Sequence, residues 1–203
     1  CERRYGKNEV VFNHGDEGSS LFIINSGMVK IAVNSTEGKE KTLAILSAGD
    51  FFGELSLFDG EPRSANAVAT EVSQLYILGR EQFLSFLKSH PDASLKILAA
   101  LSCRLRRTDE LVQDVSFLDV PRRLLKAIME LAVSQGKPGE CGTVIISGLS
   151  QTDLATLVGA TRESVNKWLA CYQREGLLSF ERAKITVLDI NKLRRKVQLI
   201  TCT

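Results

Sequence analysis

Residues 151–170 narrow what this chain can fold into more than any other stretch, because they predict two short helices joined by a tight turn. Ser150 and Thr161 are residue types that cap helix N-termini, and Gly159 between them can adopt the positive φ that ends a helix. Apolar residues at helical spacing mark the buried faces: Leu154, Ala155 and Val158 on the first helix, and Val165, Trp168 and Leu169 on the second. The pattern predicts a helix-turn-helix.

Four polar residues are predicted to stay exposed at the start of the second helix: Arg162, Glu163, Asn166 and Lys167. In a helix-turn-helix these positions enter the major groove of DNA. Arginine donates to guanine O6 and N7, glutamate accepts from cytosine N4, and lysine reaches guanine or phosphate. Gln151 and Thr152 open the first helix and Thr161 the second, where amides and side chains commonly meet phosphate. We expect sequence-specific binding to double-stranded DNA; the alternative is an ordinary helical hairpin with a charged face.

The distribution of charge agrees with a DNA-binding back half. Residues 1–120 contain 13 Lys and Arg against 17 Asp and Glu, a net charge of −4. Residues 121–203 contain 13 against 7, a net charge of +6. Only the back half has the charge of a polyanion binder, which suggests two domains with different partners.

Other classes of protein find little support in the sequence. No apolar run approaches the roughly 18 residues of a membrane span, and no signal peptide opens the chain, so we expect a cytoplasmic protein without a membrane partner. The five cysteines are scattered, which predicts reduced thiols and no metal site: Cys1, Cys103, Cys141, Cys171 and Cys202. His14 and His90 are expected at the surface. No Ser/His/Asp set or P-loop is present, so neither an enzyme nor its regulatory subunit is expected.

The front of the chain is rich in short β-type segments separated by turn signals such as Asn25-Ser26-Gly27. Such closely spaced strands predict a barrel or sandwich. The predicted strands are Val10–Phe12, Leu21–Ile24, Met28–Val33, Thr42–Leu46, Ala65–Ala69 and Gln74–Leu78.

From Pro91 to about Ser116 the pattern becomes helical, with residues at alternating spacings of three and four. This seam consists of Leu98, Leu101, Leu105, Thr108, Val112 and Val115. A heptad seam usually pairs with a second helix, so it predicts a homodimer interface; the alternative is a helix packed on its own domain. Pro121 then starts a helix over 122–133, residues 136–139 form a loop, and Leu177–Val187 form a hairpin. The predicted divisions are 1–90, 91–120 and 121–203.

A second candidate site combines Gly53, Glu54 and Leu55 with Arg63 and Ser64. Backbone amides near a glycine, an arginine and a hydroxyl together make an anion site. A carboxylate beside a phosphate is useful only where the ligand also offers hydroxyl donors, as a nucleotide does. The alternative is a surface salt bridge between Glu54 and Arg63.

These motifs resemble a known family. The run Phe52–Leu55 with Arg63–Ala65 looks like the phosphate-binding cassette of cyclic-nucleotide-binding domains. The runs Leu118–Pro121, Gln151–Ala155 and Gly159–Val165 resemble the hinge and DNA-binding domain of the bacterial Crp/Fnr family. The resemblance covers nearly the whole chain. It implies an α+β protein with an N-terminal β-roll, a long dimerisation helix and a C-terminal winged helix-turn-helix.

The resemblance also implies roles for particular residues. Arg63 and Ser64 would bind a cyclic phosphate, Glu54 the ribose 2′-hydroxyl, and the Gly53 backbone would approach the ribose, with Leu55 beside it. Thr108 would hydrogen-bond the adenine amino group; as the polar member of an apolar seam it needs a partner if buried. Its alternative role is to set helix register. The implied allosteric effector is cyclic AMP, with no other cofactor.

The implied partners are a palindromic DNA site, a second copy of the chain and RNA polymerase. The chain departs from the cyclic-AMP-binding pattern at Asp109, where a serine from the partner subunit is usual, and at Lys167, which replaces an arginine. An added carboxylate leaves the base preference open, and lysine lacks the planar fork of arginine. Alternative effectors are cyclic GMP, cyclic di-GMP, a metabolite or none.

Overall fold

The computed structural model describes residues 1–181 and 183–201, with side chains to residue 198. Contacts divide the chain into two compact units, Cys1–Val112 and Gln113–Thr203. The boundary falls within one long helix, so the predicted three-part division of 1–90, 91–120 and 121–203 stays a prediction.

The first unit is built on two antiparallel four-stranded sheets, with strand orders β1-β8-β3-β6 and β2-β7-β4-β5. The strands are β1 Glu2–Tyr5, β2 Val10–Phe12, β3 Ser20–Ser26, β4 Met28–Asn34, β5 Glu40–Ser47, β6 Phe51–Phe52, β7 Asn66–Ala69 and β8 Ser73–Gly79. Side chains from both sheets form one core, among them Tyr5, Phe22, Val29, Ala67 and Leu75. The predicted β-rich domain and its six strands are confirmed; β1 and β6 were not predicted, because they are short and lack a β-type pattern.

The first unit also contains helices that pack against the sheets. They are α1 Leu55–Asp59, α2 Arg80–Ser89 and α3 Pro91–Phe117. A second core of Leu21, Leu57 and Phe83 joins α1 and α2 to strand β3, and Ile97 of α3 packs against it. This cluster fixes the segment that begins at Gly53 against the helices that follow it.

The α3 seam is mostly uncovered within a single chain. Four of its apolar side chains remain more than half exposed: Leu98 at 59%, Leu105 at 64%, Val112 at 63% and Val115 at 54%. Thr108 is exposed as well, whereas Leu101 is partly buried within the chain. An apolar row of this length on an exposed helix face is typical of an interaction surface.

The second unit is a helical domain with a small sheet of order β11-β12-β10-β9. Its elements are α4 Val120–Gln135, β9 Lys137–Pro138, a 3₁₀ turn Glu140–Gly142, β10 Val144–Ser147, α5 Gln151–Val158, α6 Arg162–Arg174, β11 Leu178–Glu181, β12 Lys184–Val187 and α7 Ile190–Thr201. The hairpin predicted over Leu177–Val187 is confirmed as β11 and β12. The α+β fold class is confirmed with it.

Two local predictions in this unit need correction. The loop over residues 136–139 contains a strand, because Lys137 and Pro138 pair with Ile145 and Val144 of β10. The helix predicted over 122–133 extends from Val120 to Gln135, because the Asp119 side chain accepts a hydrogen bond from the Arg122 amide and caps it. Neither β10 nor α7 was predicted.

The remaining sequence expectations concern thiols, metals and membranes. Cys1, Cys103, Cys141 and Cys171 are free thiols, and Cys202 lies outside the described residues. Within residues 1–181 and 183–201, no group of His, Cys, Asp and Glu side chains is arranged to hold a metal ion. None of the helices described is both long and apolar enough to cross a membrane.

Candidate effector site and DNA-reading helix

Arg63 forms the base of the candidate effector site and is almost completely buried, at 5% exposure. Its Nη1 donates to the Gly53 carbonyl at 2.6 Å and its Nη2 to the Ser20 carbonyl at 2.7 Å. The guanidinium lies over the Phe12 ring at 4.4 Å. Burial lowers the pKa of Arg63, and the charges of Asp16 and Glu54 oppose that shift. The buried Nε has no hydrogen-bond partner in the described chain, so the cation retains capacity for an acceptor.

Glu54 is the second buried charge of this site, at 4% exposure. Its Oε1 accepts from Arg104 Nη1 at 2.8 Å, and Arg104 Nη2 also donates to the Phe51 carbonyl. The Arg104 guanidinium lies 4.5 Å from the centre of the Phe51 ring. Glu54 therefore pairs with Arg104 of α3. The alternative in which Glu54 and Arg63 form a surface salt bridge is wrong.

Two glycines allow these side chains to pack closely. A Cβ on Gly18 would lie 2.1 Å from Ser56 Cβ and 3.3 Å from Arg63 Cζ. Gly53 has φ of +80°, and a Cβ there would lie 2.7 Å from Arg63 Nη1. Both positions lack room for a side chain, because Ser56 occupies the space beside Gly18 and Arg63 the space beside Gly53.

The structure brings together only part of the predicted effector set. Gly53, Glu54 and Arg63 share the buried cluster, whereas Leu55, Ser64, Thr108 and Asp109 have exposed side chains. The Thr108 hydroxyl donates to the Arg104 carbonyl at 3.1 Å, one turn earlier on α3. Thr108 is thus connected to Glu54 through a single residue.

Sequence reasoning missed Arg104, which is the link between the cassette and α3. A signal was available: Arg104 lies four residues before Thr108, so both side chains emerge on one side of the helix. What the sequence could not show is that the buried carboxylate of Glu54 faces that side.

The helix-turn-helix of the second unit is held by local caps. Ser150 Oγ accepts from the Asp153 amide, and the Asp153 carboxylate accepts from the Ser150 amide, which completes a capping box. Gly159 ends α5 in the left-handed conformation, with φ 66° and ψ 50°. Thr161 Oγ then accepts from the Ser164 amide and caps α6. The predicted helices and turn are confirmed.

The buried face of this pair differs slightly from the prediction. Leu154, Ala155 and Val158 of α5 and Val165 and Leu169 of α6 are buried. Trp168 is only partly buried, and Tyr172 fills the core one turn later. The Tyr172 hydroxyl donates to the Pro121 carbonyl at 2.8 Å, and burial raises the pKa of this phenol.

Three of the four predicted reading residues are exposed: Arg162, Glu163 and Lys167. Asn166 is partly buried, and its Oδ1 is buried without a hydrogen-bond partner in the described chain, so it was wrongly predicted to be exposed. Helical spacing alone does not predict this partial burial.

Two local contacts prepare the start of α6. Hydrogen bonds from the Glu163 backbone amide and the Thr161 hydroxyl lower the pKa of the Glu163 carboxyl, so it is ionised at neutral pH. Arg162 Nε donates to Gln151 Oε1 of α5 at 3.4 Å. Thr152, beside Gln151, is exposed. Of the seven side chains predicted to meet DNA, five therefore lie at the starts of α5 and α6, and Asn166 and Lys167 lie in the second turn of α6.

Comparisons with known proteins match both parts of the chain. Residues 2–90 match the cyclic nucleotide-binding domain family, and residues 122–196 match the Crp-like helix-turn-helix domain family. A CRP-like cAMP-activated global transcriptional regulator of Mycobacterium tuberculosis is 34% identical over 194 residues, which span 96% of this chain and 87% of that protein. The cyclic AMP receptor protein of Thermus thermophilus is 33% identical, over 92% of this chain and 83% of that protein.

A solved structure also aligns along the whole length. The c-di-GMP responsive global regulator CLP of Xanthomonas campestris matches with a TM-score of 0.78 at 26% identity, over 93% of this chain and 94% of that chain. The relatives thus share the arrangement of domains, while their names refer to different effectors, cAMP and c-di-GMP.

Proposed function

This chain belongs to the Crp/Fnr family of transcription regulators, and on that premise we propose that it binds palindromic DNA as a homodimer under the control of cyclic AMP. The family carries a cyclic-nucleotide-binding domain and a helix-turn-helix, so the chain is a regulatory DNA-binding protein. The effector, the DNA site, the dimer, contact with RNA polymerase and a cytoplasmic location are parts of the proposal.

The observation that carries the proposal is the ion pair between buried Glu54 and partly buried Arg104. A ribose hydroxyl donating to Glu54 would share this carboxylate with Arg104, which binds its Oε1. Arg104 lies on α3, one turn before Thr108 and beside the apolar seam. Occupation of the cassette would therefore change a contact that holds α3 to its own β-roll. A ligand alters the balance between two states only if it binds one of them better.

Arg63 supplies the charge for a cyclic phosphate. Each terminal nitrogen uses one of its two N–H groups for a backbone carbonyl, and Nε has no partner in the described chain, so phosphate binding would use the remaining N–H donors. Ser64, exposed beside it, would donate its hydroxyl to the same phosphate. Thr108 and Asp109 would face the base, where a threonine oxygen or a carboxylate accepts from the adenine amino group.

The exposed row on α3 supports the homodimer. Leu98, Leu105, Val112 and Val115 would be covered by the same row of a second copy, as in a heptad pair. Two α6 helices would then read successive major grooves about 34 Å apart. Arg162, Glu163 and Lys167 would contact bases, and Gln151, Thr152 and Thr161 lie at helix starts that meet phosphate.

A direct test measures affinity for the preferred DNA site with and without cyclic AMP at one salt concentration. We expect cyclic AMP to strengthen binding by the wild-type chain and to have no effect on Arg63→Ala. Arg4→Ala is the matched control, since Arg4 is exposed on β1. An operator affinity that cyclic AMP leaves unchanged, or a response that survives Arg63→Ala, contradicts the proposed switch.

The named relatives also include a regulator that responds to cyclic di-GMP, which makes that nucleotide the second candidate effector. Calorimetric titration of the full chain with cyclic AMP, cyclic GMP and cyclic di-GMP separates the candidates. Heat from cyclic di-GMP alone would replace cyclic AMP in the proposal and leave the DNA-binding function standing.

A further inference from the structure

We infer that Gln151 is a specificity-determining residue, which orients Arg162 for a guanine rather than serving only as a phosphate contact. The inference rests on the proposed DNA-binding function. Its basis is the hydrogen bond from Arg162 Nε to Gln151 Oε1, at 3.4 Å, between the first residues of α5 and α6.

The two helix starts hold this pair in place from both sides. Ser150 and Asp153 fix the backbone of Gln151 through the capping box. Thr161 fixes the backbone of Arg162 by capping α6. The left-handed turn at Gly159 brings the two starts together. The hydrogen bond therefore joins two fixed stretches of backbone. Forming it costs conformational entropy only in the two side chains.

The choice of nitrogen determines what Arg162 can still do. A bidentate contact with guanine O6 and N7 needs two donors in the plane of the guanidinium. Gln151 accepts from Nε, which leaves the terminal Nη1 and Nη2 groups available for the base. It also restricts rotation of the guanidinium plane. Arg162 is otherwise exposed and has many rotamers to lose on binding.

A phosphate contact at Gln151 would behave differently. Phosphate contacts set affinity and register without carrying information about the base, so their loss weakens binding to all sequences alike. A residue that orients Arg162 affects the preference at one base pair. The two roles therefore differ in specificity even where the loss of total affinity is the same.

Selection from a randomised double-stranded DNA library, carried out with the full chain with and without cyclic AMP, first gives the preferred site. The base pair whose preference disappears in Arg162→Ala identifies the position that Arg162 reads. Affinities are then measured for the preferred base pair and its three replacements, at that position and at a second position, for Gln151→Ala, Gln151→Glu and Thr152→Ala.

We expect Gln151→Ala to lower the preference at the Arg162 position by roughly two- to tenfold, the range that one hydrogen bond supports, and to leave the second position unchanged. Gln151→Glu should keep that preference, because a carboxylate accepts from Nε at least as well, although phosphate repulsion weakens binding to every sequence. Thr152→Ala, at a neighbouring residue proposed to contact phosphate, should weaken binding to all sequences alike and leave the preference intact.

Three results would overturn the inference. These are an unchanged preference in Gln151→Ala, an equal loss at both positions, or a loss of preference in Gln151→Glu as large as in Gln151→Ala. A wild-type chain that selects no sequence would reject the proposed function itself. A specific wild type with an unaffected Gln151→Ala would reject only the role of Gln151.

Discussion

Arg63 in the first unit and Arg162 in the second are both assigned to bind the charged or polar groups of a nucleotide, yet their surroundings are opposite. Arg63 is buried and donates to two backbone carbonyls of its own β-roll. Arg162 is exposed and is held by one side chain. On the proposed function, a phosphate at Arg63 would add to the internal bonds that the cation already makes, whereas DNA at Arg162 would replace water.

This difference explains how the two regions divide the work of a regulator. In the β-roll, a ligand would join a cation that is already bonded to its own fold, so the residues that share those bonds would feel its binding. In the helix-turn-helix, exposed donors on a rigid pair of helices can bind without rearranging the fold. Under the proposed function, the signal would begin at the internally bonded arginine, and DNA would be read by the exposed one.

The largest expected effect comes from replacing the two arginines by methionine. Arg63→Met leaves the Gly53 and Ser20 carbonyls unpaired, so we expect a loss of about 2–4 kcal/mol in the stability of the first unit. Arg162→Met removes an exposed side chain and should change stability by at most about 0.5 kcal/mol. Urea unfolding followed by circular dichroism measures both.

Trp168, the single tryptophan of the chain, provides an internal control because it lies in the second unit. Its fluorescence should report an unchanged transition in Arg63→Met while the circular dichroism transition shifts. Equal destabilisation by the two substitutions would remove the contrast between the regions.

Alanine substitutions at Gly53 and Gly159 should also destabilise the first unit more than the second, by a smaller margin than the arginine substitutions. Both residues have positive φ, which costs an alanine about 1–2 kcal/mol. At Gly53 the new Cβ would also meet Arg63 Nη1 and the Ser20 carbonyl oxygen, at 2.7 and 3.2 Å. We therefore expect Gly53→Ala to lower the midpoint of thermal unfolding of its unit more than Gly159→Ala lowers that of the second unit. A larger effect at Gly159 would show that Arg63 moves aside freely.

The smallest expected effect concerns Tyr172, whose buried phenol makes the second unit sensitive to alkali. An unfolded tyrosine has a pKa of about 10, and the pKa of Tyr172 in the folded protein is raised above that value. Rising pH then stabilises the unfolded state first, so the contribution of neutral Tyr172 is complete below about pH 10 and is lost above it.

Tyr172→Phe should remove this pH dependence and lose about 1 kcal/mol at neutral pH, because the hydrogen bond to the Pro121 carbonyl disappears. Trp168 fluorescence during urea unfolding, at neutral pH and above about pH 10, measures both effects. A variant that remains as sensitive to alkali as the wild type would assign the sensitivity to another group.

Much of the fold followed from short-range patterns. The strands predicted from β-type runs and the long helix predicted from its seam are present, since consecutive residues carry both the strand pattern and the helical spacing. Elements β1 and β6 were missed because they are stabilised by their neighbours in the sheet, whereas β10 has a β-type run, Val144–Ser147, that the prediction overlooked. Asn166 was wrongly predicted to be exposed because helical spacing shows which face of a helix is buried but not how wide that buried face is.

The sequence alone determined the helix-turn-helix, because its caps join Ser150 to Asp153 and Thr161 to Ser164, residues three apart in the chain. It also pointed to Glu54 and Arg63 as members of one anion site. Only the tertiary structure decided that Arg63 turns inward and that Glu54 pairs with Arg104, fifty residues away. Contacts between residues so far apart in the sequence depend on how whole sheets and helices pack, so no local sequence pattern predicts them.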